Sequence, residues 1–246
     1  MKVSERINYI KDWIITYCNS MKNTPSTLVI GVSGGIDSSL TSTICAMTKK
    51  KIIVVSMPIR QDSKQHDLSI AHQDWLMNNF ENVECRVISL DLIFKNFKET
   101  LNEFNSDRGL ANSRSRLRMV TLYQIAQSSN GLVVGTGNKI EDFGVGFYTK
   151  YGDGGVDISP IADCNKSQVW EMGKNLGILK EIIDAQPTDG LWDDGRTDVN
   201  QLGMSYQELE KAMKDPSNKN HKKYLEIRKR NLHKMNPIPV CKMKDE

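Results

Sequence analysis

The sequence predicts an α/β protein built on a doubly wound parallel β-sheet, with helices on both faces and a helical C-terminal portion. Short runs that are apolar nearly throughout, such as LVIGV and IIVVSM, alternate with segments of helical character. Strands buried on both faces have this composition, and the alternation is typical of parallel sheets. Two glycine-containing turns follow such runs directly, so we expect them at the carboxyl edge of the sheet, where ligands bind. From Lys166 onward the segments are helical.

The first element in chain order is an amphipathic helix. Its apolar side chains fall on one stripe, which we expect to pack in the core or at a dimer interface: Ile7, Ile10, Trp13, Ile14 and Tyr17. The predicted strands cover residues 27–32, 51–58, 83–90 and 131–136. The predicted helices cover about 37–47, 67–79, 92–104 and 110–128, and then about 166–176, 179–185, 205–214 and 218–232.

Two polar stretches without strand character remain, at residues 58–66 and 187–203. Long loops in compact domains are often lids or binding loops, but ordinary surface loops have the same composition, so both interpretations stay open. His66 and His72 have no partner that the sequence makes visible, and we expect both at the surface.

Composition limits the class of protein. The 246 residues suffice for one large α/β domain, and we expect a single domain over residues 1–246. A net charge of +3 gives no reason to expect nucleic acid, and the longest apolar runs are far shorter than the roughly 20 residues that cross a bilayer. The five cysteines are scattered without a CxxC pair, which argues against a zinc site or a disulfide framework. We therefore expect a cytoplasmic protein with no membrane partner.

The stretch GVSGGIDSSL, at residues 31–40, follows the first predicted strand and precedes a helix. Its paired glycines allow a ligand to approach the main chain closely, and the helix N-terminus offers unpaired N–H groups. With the serine hydroxyls these groups form a nest for an anion such as phosphate. The loop lacks the lysine of GxxxxGK[ST] loops, so it suits pyrophosphate, with further positive charge supplied by Mg²⁺ and by other residues.

Asp37 in this loop has two interpretations that spacing alone does not separate. A carboxylate in the first turn of a helix favours the helix dipole, and a carboxylate beside phosphates is a suitable ligand for Mg²⁺.

The SGGxDS pattern between a strand and a helix resembles the loop of the ATP-pyrophosphatase superfamily. Further motifs narrow the resemblance: NSRSRLRMVTLYQIA, GTGNKIED, GFYTKYGDGGVDISPIAD, NKSQVWEMGKNLG, QPTDGLW and NLHK. In this order they resemble the ammonia-dependent NAD synthetases over residues from about 4 to 239. The resemblance implies an adenine nucleotide alpha-hydrolase-like fold, and a single NAD synthetase domain without a glutaminase domain.

The resemblance also implies a reaction. Such enzymes use ATP to adenylate the carboxylate of deamido-NAD, and ammonia then displaces AMP to give NAD, with pyrophosphate as the other product. It implies Mg²⁺ as the metal and a homodimer whose dinucleotide site lies across the interface.

The site residues that the resemblance implies fall into groups. The ATP loop comprises Gly31, Val32, Ser33, Gly34, Gly35, Ile36, Asp37 and Ser38. Further ATP contacts are Thr136, Lys166 and Thr188, and Lys166 would supply the charge that the loop lacks. The Mg²⁺ ligands are Asp37 and Glu141, and the contacts to deamido-NAD are Arg116, Lys150, Asp157, His233 and Lys234. Lys166 and Asp153 are the catalytic residues, the latter holding or deprotonating ammonium.

Several of these residues have ordinary structural interpretations. YGDGG around Asp153 is typical of a tight turn, and His233 and Lys234 end a basic helix that suits a solvated face. The interval from Glu141 to Lys150 is longer than in bacterial relatives, so Asp142 is a competing metal ligand.

Two other functions stay open on the sequence. A tRNA-modifying adenylating enzyme on the same loop is favoured by the basic C-terminal helix but not by the cysteines. A nucleotide sensor without catalysis is disfavoured by the paired acids.

Overall fold

The fold rests on a sheet of four parallel strands. A computed structural model of the protein describes residues 1–60, 63–192 and 196–243. The strands are β1 (Thr27–Gly31), β2 (Lys51–Ser56), β3 (Val83–Val87) and β4 (Gly131–Val133), in the order β3-β2-β1-β4. The change of direction in this order lies between β1 and β4, and it confirms the predicted doubly wound α/β class.

Helices cover both faces of the sheet. They are α1 (Val3–Ser20), α2 (Ile36–Ala46), α3 (Ser63–Asn79), α4 (Asp91–Thr100), α5 (Asp107–Ser128), a π-helix (Lys139–Val145), α6 (Lys166–Asn175), α7 (Lys180–Asp184), α8 (Asp198–Leu202), α9 (Tyr206–Lys214) and α10 (His221–Met235). Within the described residues, none of these helices combines the length and the apolar character needed to cross a bilayer.

Two helices were not predicted. The π-helix spans only seven residues, and α8 spans five, inside the stretch 187–203 that was expected to lack regular structure. Such short segments carry no usable hydrophobic period. Residues 61–62 and 193–195 of the two predicted loops lie outside the described residues.

The strands are apolar on both sides because each side packs on helices. Leu28 and Ile30 of β1 join a buried cluster with residues of α1, α2 and α6. Val29, between them, faces the opposite side and packs with Phe94 of α4 and Ala126 of α5. A third apolar cluster joins the π-helix to α8, α9 and α10.

The stripe on α1 is only partly in the core. Ile7, Ile10 and Ile14 are buried, but Trp13 and Tyr17 lie at the helix flank, half-exposed, with their rings stacked 5.6 Å apart. Of the two positions expected for this stripe, the core is therefore confirmed for the three isoleucines, and packing at a dimer interface stays a prediction for the two aromatic residues.

The sheet order places two loops side by side. β1 pairs directly with β4, with Val29 opposite Val133, so the loops that follow these strands leave the same edge. A bridge from Val134 to Ile158 adds the segment after the YGDGG turn to this edge. The N–H of Gly135 donates to the Ile158 carbonyl at 2.8 Å.

His72 is fully buried, contrary to the surface position expected for it. Its Nε2 lies 2.9 Å from the hydroxyl of Ser42 on α2, and its ring stacks on Trp75. Burial lowers the pKa of His72 to about 4, because a positively charged ring in the protein interior would have no water to hydrate it.

This burial predicts a specific acid sensitivity. The folded pKa lies below the value of about 6.5 for an exposed histidine, so acid protonates the unfolded state first. Stability is therefore full above about pH 6.5 and falls toward pH 4, by up to about 3 kcal/mol for this residue. His72→Gln should flatten the decline in free energy of unfolding, measured by urea denaturation at several pH values. His233→Gln, at an exposed position, should keep the wild-type slope. An unchanged slope in His72→Gln would show that another group causes the decline.

Candidate active site

The glycine loop is a tight turn between β1 and α2. Gly34 has φ of +87°, and a Cβ there would lie 2.5 Å from the carbonyl oxygen of Gln65. Only glycine fits both constraints. Gly35 is the N-cap of α2, and its N–H donates to the Ser33 hydroxyl at 3.3 Å. The turn therefore brings the first N–H groups of α2 to the carboxyl edge of the sheet.

Lys166 lies beside this turn and is 2% exposed. It is the first residue of α6, directly after the N-cap Asn165. Its ammonium forms ion pairs with Asp37 from the first turn of α2 and, at 2.8 Å, with Glu141 from the π-helix. A cation at a helix N-terminus opposes the dipole, so these carboxylates are what make its burial tolerable.

The charges in this cluster do not balance. Burial alone would lower the pKa of Lys166, but Asp37 and Glu141 raise it above its ordinary value, so the ammonium stays charged. Burial raises the pKa of Asp37, and Lys166 opposes this only in part. Lys166 outweighs burial at Glu141 and lowers the pKa of that carboxyl. One cation thus faces two buried carboxylates, and further positive charge would stabilise both as ions.

Asn138 connects the two acids and was not recognised as a site residue in the sequence. Its fully buried amide donates to Asp37 Oδ1 at 3.1 Å. Its Oδ1 accepts from the N–H groups of Ile140 and Glu141, at 3.0 and 3.1 Å, as the N-cap of the π-helix. Asparagine ahead of a helix is a readable N-cap signal, but the helix itself was not predicted.

A second pair of acids, Asp142 and Asp153, lies on a cavity of about 110 Å³ next to the first pair. Asp142 packs against Gly137, where any side chain would overlap its carboxyl. Burial, and then the charges of Asp153 and Glu141, raise the pKa of Asp142 well above its ordinary value. The structure therefore places Glu141, and not Asp142, on the ammonium that Asp37 shares.

Asp153 lies in the YGDGG segment, which was predicted to be a tight turn, and hydrogen bonds hold it there. The residue is exposed, and its Oδ1 accepts from the Ser115 hydroxyl at 2.7 Å and from the Thr149 N–H at 3.0 Å. Burial raises the pKa of this carboxyl, and the hydrogen bonds partly oppose the change. Ser115 also accepts from the Asp153 N–H, at 2.8 Å, a role that the sequence did not indicate.

Four of the residues matched to deamido-NAD lie together. Arg116 on α5 donates to the Lys150 carbonyl at 3.3 Å, and Lys150 donates to the His233 carbonyl at 3.2 Å. Lys234 at the end of α10 donates to the Tyr148 carbonyl at 2.7 Å. The basic end of α10 therefore packs on residues 148–150, and is more than a solvated face.

Asp157 lies apart from this group. Its carboxylate accepts from the Val133 N–H at 2.8 Å and from the Tyr123 hydroxyl at 3.1 Å, beside the end of β4. Two neighbouring arginines of α5, Arg114 and Arg116, point in different directions. Arg114 is buried and donates to the Leu191 carbonyl, whereas Arg116 is exposed.

The remaining residues that were predicted to contact ATP, Thr136 and Thr188, lie on loops. Thr136 follows β4, between Gly135 and Gly137. Thr188 donates its hydroxyl hydrogen to the Arg196 carbonyl at 3.0 Å, and it accepts from the Gly190 N–H at 3.2 Å. Gln65 contacts both Gly190 and the glycine loop, so the two loops meet through it.

The donor set limits which metal the site suits. Among the residues that the structure describes, no three histidine, cysteine, aspartate or glutamate side chains converge on one point. The Asp37 and Glu141 carboxylates do converge on one cation, the ammonium of Lys166. Two carboxylates with phosphate oxygens and water are typical ligands of Mg²⁺, so the pair fits a Mg²⁺ ion shared with a nucleotide.

The sequence matches a known family and its members. The family profile described as NAD synthase matches residues 6–245. A protein named NH(3)-dependent NAD(+) synthetase from Archaeoglobus fulgidus is 35% identical over 228 residues, which cover 89% of each chain. A protein of the same name from Methanosarcina acetivorans is 40% identical over 192 residues, covering 76% of this chain and 72% of the relative.

Solved structures have the same fold. An NMN synthetase from Francisella tularensis superimposes with a TM-score of 0.90 and 29% identity, covering 99% of this chain and 100% of the other. An NH3-dependent NAD synthetase from Campylobacter jejuni superimposes with a TM-score of 0.79 and 23% identity, over 98% and 100% of the chains. The profile match over nearly the whole chain confirms the resemblance found in the motifs, and this chain belongs to the NAD synthase family.

Proposed function

We propose that this protein is an ammonia-dependent NAD synthetase, which amidates deamido-NAD with ATP through an acyl-adenylate. One observation carries the proposal: a fully enclosed lysine, Lys166, meets two carboxylates beside a glycine loop that has no lysine of its own. The relatives of the same name support it. The family profile over residues 6–245 favours it over a tRNA-modifying adenylating enzyme.

In the first step, a carboxylate oxygen of deamido-NAD attacks the α-phosphorus of ATP. An O–P bond forms, the bond from the α-phosphorus to the bridging oxygen breaks, and pyrophosphate leaves with the electron pair. The N–H groups that begin α2 and the ammonium of Lys166 stabilise the charge on the departing pyrophosphate. A carboxylate thereby gains AMP as a leaving group.

Asp37 and Glu141 would hold Mg²⁺ in this complex, since the unbalanced charge between them favours an added cation. Bound there, the ion would neutralise phosphate charge and align the phosphates. Asn138 keeps both carboxylates in place, because it bonds to Asp37 and caps the helix that carries Glu141.

In the second step, ammonia attacks the acyl carbon. A C–N bond forms, the C–O bond to AMP breaks, and two protons leave in total when the nitrogen arrives as ammonium. Asp153 holds the ammonium and accepts its first proton, for which a raised pKa is suitable. The adjacent cavity, with Asp142 as its second acid, is small and suits a cation of this size.

The products test the proposal. With ATP, deamido-NAD and ammonium, mass spectrometry should find AMP and NAD in equal amounts, together with pyrophosphate.

Asp37→Asn should lower turnover at least about 1000-fold, because the phosphate site loses a charge. Asp163→Asn, at an exposed carboxylate that pairs with Lys139, should keep wild-type turnover. Formation of ADP, or full turnover in Asp37→Asn, would contradict the mechanism. Turnover with glutamine but not with ammonium would refute the proposed nitrogen donor.

A second candidate substrate is the mononucleotide acid whose amidation gives NMN. The observation that favours it is the NMN synthetase whose structure superimposes with a TM-score of 0.90 over nearly all of both chains. Both substrates carry the same carboxylate, so the chemistry at Asp37 and Lys166 is the same for either.

Comparing kcat/KM for the two acids decides between these substrates. We expect at least about a tenfold preference for deamido-NAD, equivalent to about 1.4 kcal/mol from contacts to the additional adenylate half. Arg116→Ala should raise the KM for the acid substrate more than the KM for ATP. A preference for the mononucleotide would make the second candidate the function of this chain.

We also propose that the protein is a homodimer and is cytoplasmic. Large apolar side chains are exposed on the edge strand β3, on α4 and α5, and between these helices: Val87 (52%), Leu92 (68%), Ile93 (52%), Phe104 (76%) and Val120 (58%). A contiguous exposed apolar patch is typical of an interface, and we infer that these side chains form one. Arg116 lies on the same helix as Val120, which fits a substrate site near the subunit boundary. All five cysteines are free, as in a reducing compartment.

Introducing charge on this surface tests the dimer. Leu92→Asp with Phe104→Asp should convert a dimer into a monomer, because burying two carboxylates at an interface is unfavourable. Val240→Asp, at an equally exposed position in the C-terminal segment, should leave the mass unchanged. Analytical ultracentrifugation measures the mass, and a wild-type monomer at micromolar concentration would contradict the proposal.

A further inference from the structure

A buried hydroxyl–carboxylate pair adjoins the phosphate site, and no motif in the sequence drew attention to it. The hydroxyl of Tyr206, the first residue of α9, donates to Asp198 Oδ2 at 2.7 Å. Each residue is only 5% exposed. Neither side chain has been given a role in the reaction so far.

The ring of Tyr206 faces the ammonium of Lys166. Nζ lies 4.7 Å from the centroid of this ring and 5.8 Å from that of Trp170. The two rings meet edge to face, at 6.0 Å and 85°. The lysine head thus has carboxylates and aromatic faces around it, and the rings attract a cation without using its hydrogen-bond donors. Those donors stay available to carboxylates and phosphates.

Asp198 connects the same pair to the segment that carries Thr188. Its N–H donates to the Pro187 carbonyl at 3.1 Å, directly before Thr188. The Thr188 hydroxyl bonds to the Arg196 carbonyl, so residues 187–188 are joined to residues 196–198 by two hydrogen bonds. Tyr206 is therefore hydrogen-bonded to Asp198, which is joined to the segment of Thr188, and its ring packs on Lys166.

We propose that Tyr206 and Asp198 are positioning residues, which hold Lys166 and Thr188 in register so that both meet one ATP molecule. The inference rests on the proposed function. It does not require either residue to touch the substrate.

The unused oxygen of Asp198 argues against a purely structural role. Asp198 Oδ1 is buried and has no hydrogen-bond partner among the described residues. Leaving a buried acceptor unpaired costs about 1–3 kcal/mol, and an apolar pair of similar shape would pack there without that cost. Stability alone therefore does not account for a hydroxyl–carboxylate pair at this position.

Three substitutions separate positioning from stability. Tyr206→Phe removes the hydroxyl but keeps the ring over Lys166, and Asp198→Ala removes the acceptor. Each should weaken ATP affinity and raise the KM for ATP about tenfold, the effect of losing roughly one charge-assisted hydrogen bond. The KM for the pyridine nucleotide acid should change less than about twofold. Asp198→Asn keeps an acceptor oxygen and should restore most of the ATP affinity.

The double variant Tyr206→Phe/Asp198→Ala should lose less than the sum of the two single losses, because both variants remove the bond between Tyr206 and Asp198. Tyr206 also bonds to Glu141, so the double variant should bind ATP somewhat more weakly than Asp198→Ala. Tyr224→Phe, a buried tyrosine in the same apolar cluster, is the matched control and should bind ATP like wild type.

Isothermal titration with ATP alone is the decisive readout, since it does not depend on which acid is amidated. Unchanged ATP affinity in Tyr206→Phe, or equal losses in Asp198→Asn and Asp198→Ala, would overturn the inference. A fall in melting temperature without any change in ATP affinity would also overturn it. Failure of the proposed function would look different, as ATP binding by wild type with no AMP or pyrophosphate in the complete assay.

Discussion

The buried ammonium of Lys166 is the constraint on which the site depends. A charge at 2% exposure must be paired, and its partners come from α2 and the π-helix, far from α6 in the sequence. Removing the ammonium would leave two buried carboxylates uncompensated, so the three elements cannot shift independently. The same pairing leaves one carboxylate in excess, and this excess favours an added cation. A single cluster therefore fixes the geometry of the edge and favours a further cation there.

The π-helix contributes one acid to the Lys166 cluster and another to the neighbouring cavity. Glu141 faces Asp37 and Lys166, while its neighbour Asp142 faces the cavity shared with Asp153. In the proposed reaction these are the phosphate site and the ammonia site, so one short segment sets the distance between the two half-reactions. Asn138 caps this segment and bonds to Asp37, which links its start to the glycine loop.

Helix α10 packs on the end of the π-helix and on the residues that follow it, and its side chains donate hydrogen bonds to them. Arg228 donates to the Gly144 carbonyl at 2.7 Å, Asn231 to the Val145 carbonyl at 2.9 Å, and Lys234 to the Tyr148 carbonyl at 2.7 Å. Basic side chains of α10 thus donate hydrogen bonds to backbone carbonyl groups at the C-terminal end of the π-helix and just after it, where the regular helical hydrogen bonds end. This explains why a helix that resembles a solvated face in sequence packs against the candidate site.

The sequence by itself determined the sheet, most helices and the glycine loop, because apolar runs and turn residues are local signals that a single segment carries. The motif order also determined the family. Tertiary structure alone decided which acid faces Lys166, that Asn138 joins both acids, and that His72 is buried. It also brought Asp198 and Tyr206 to the lysine. These facts depend on contacts between residues distant in the chain, and no local pattern specifies the burial or pairing that such contacts create.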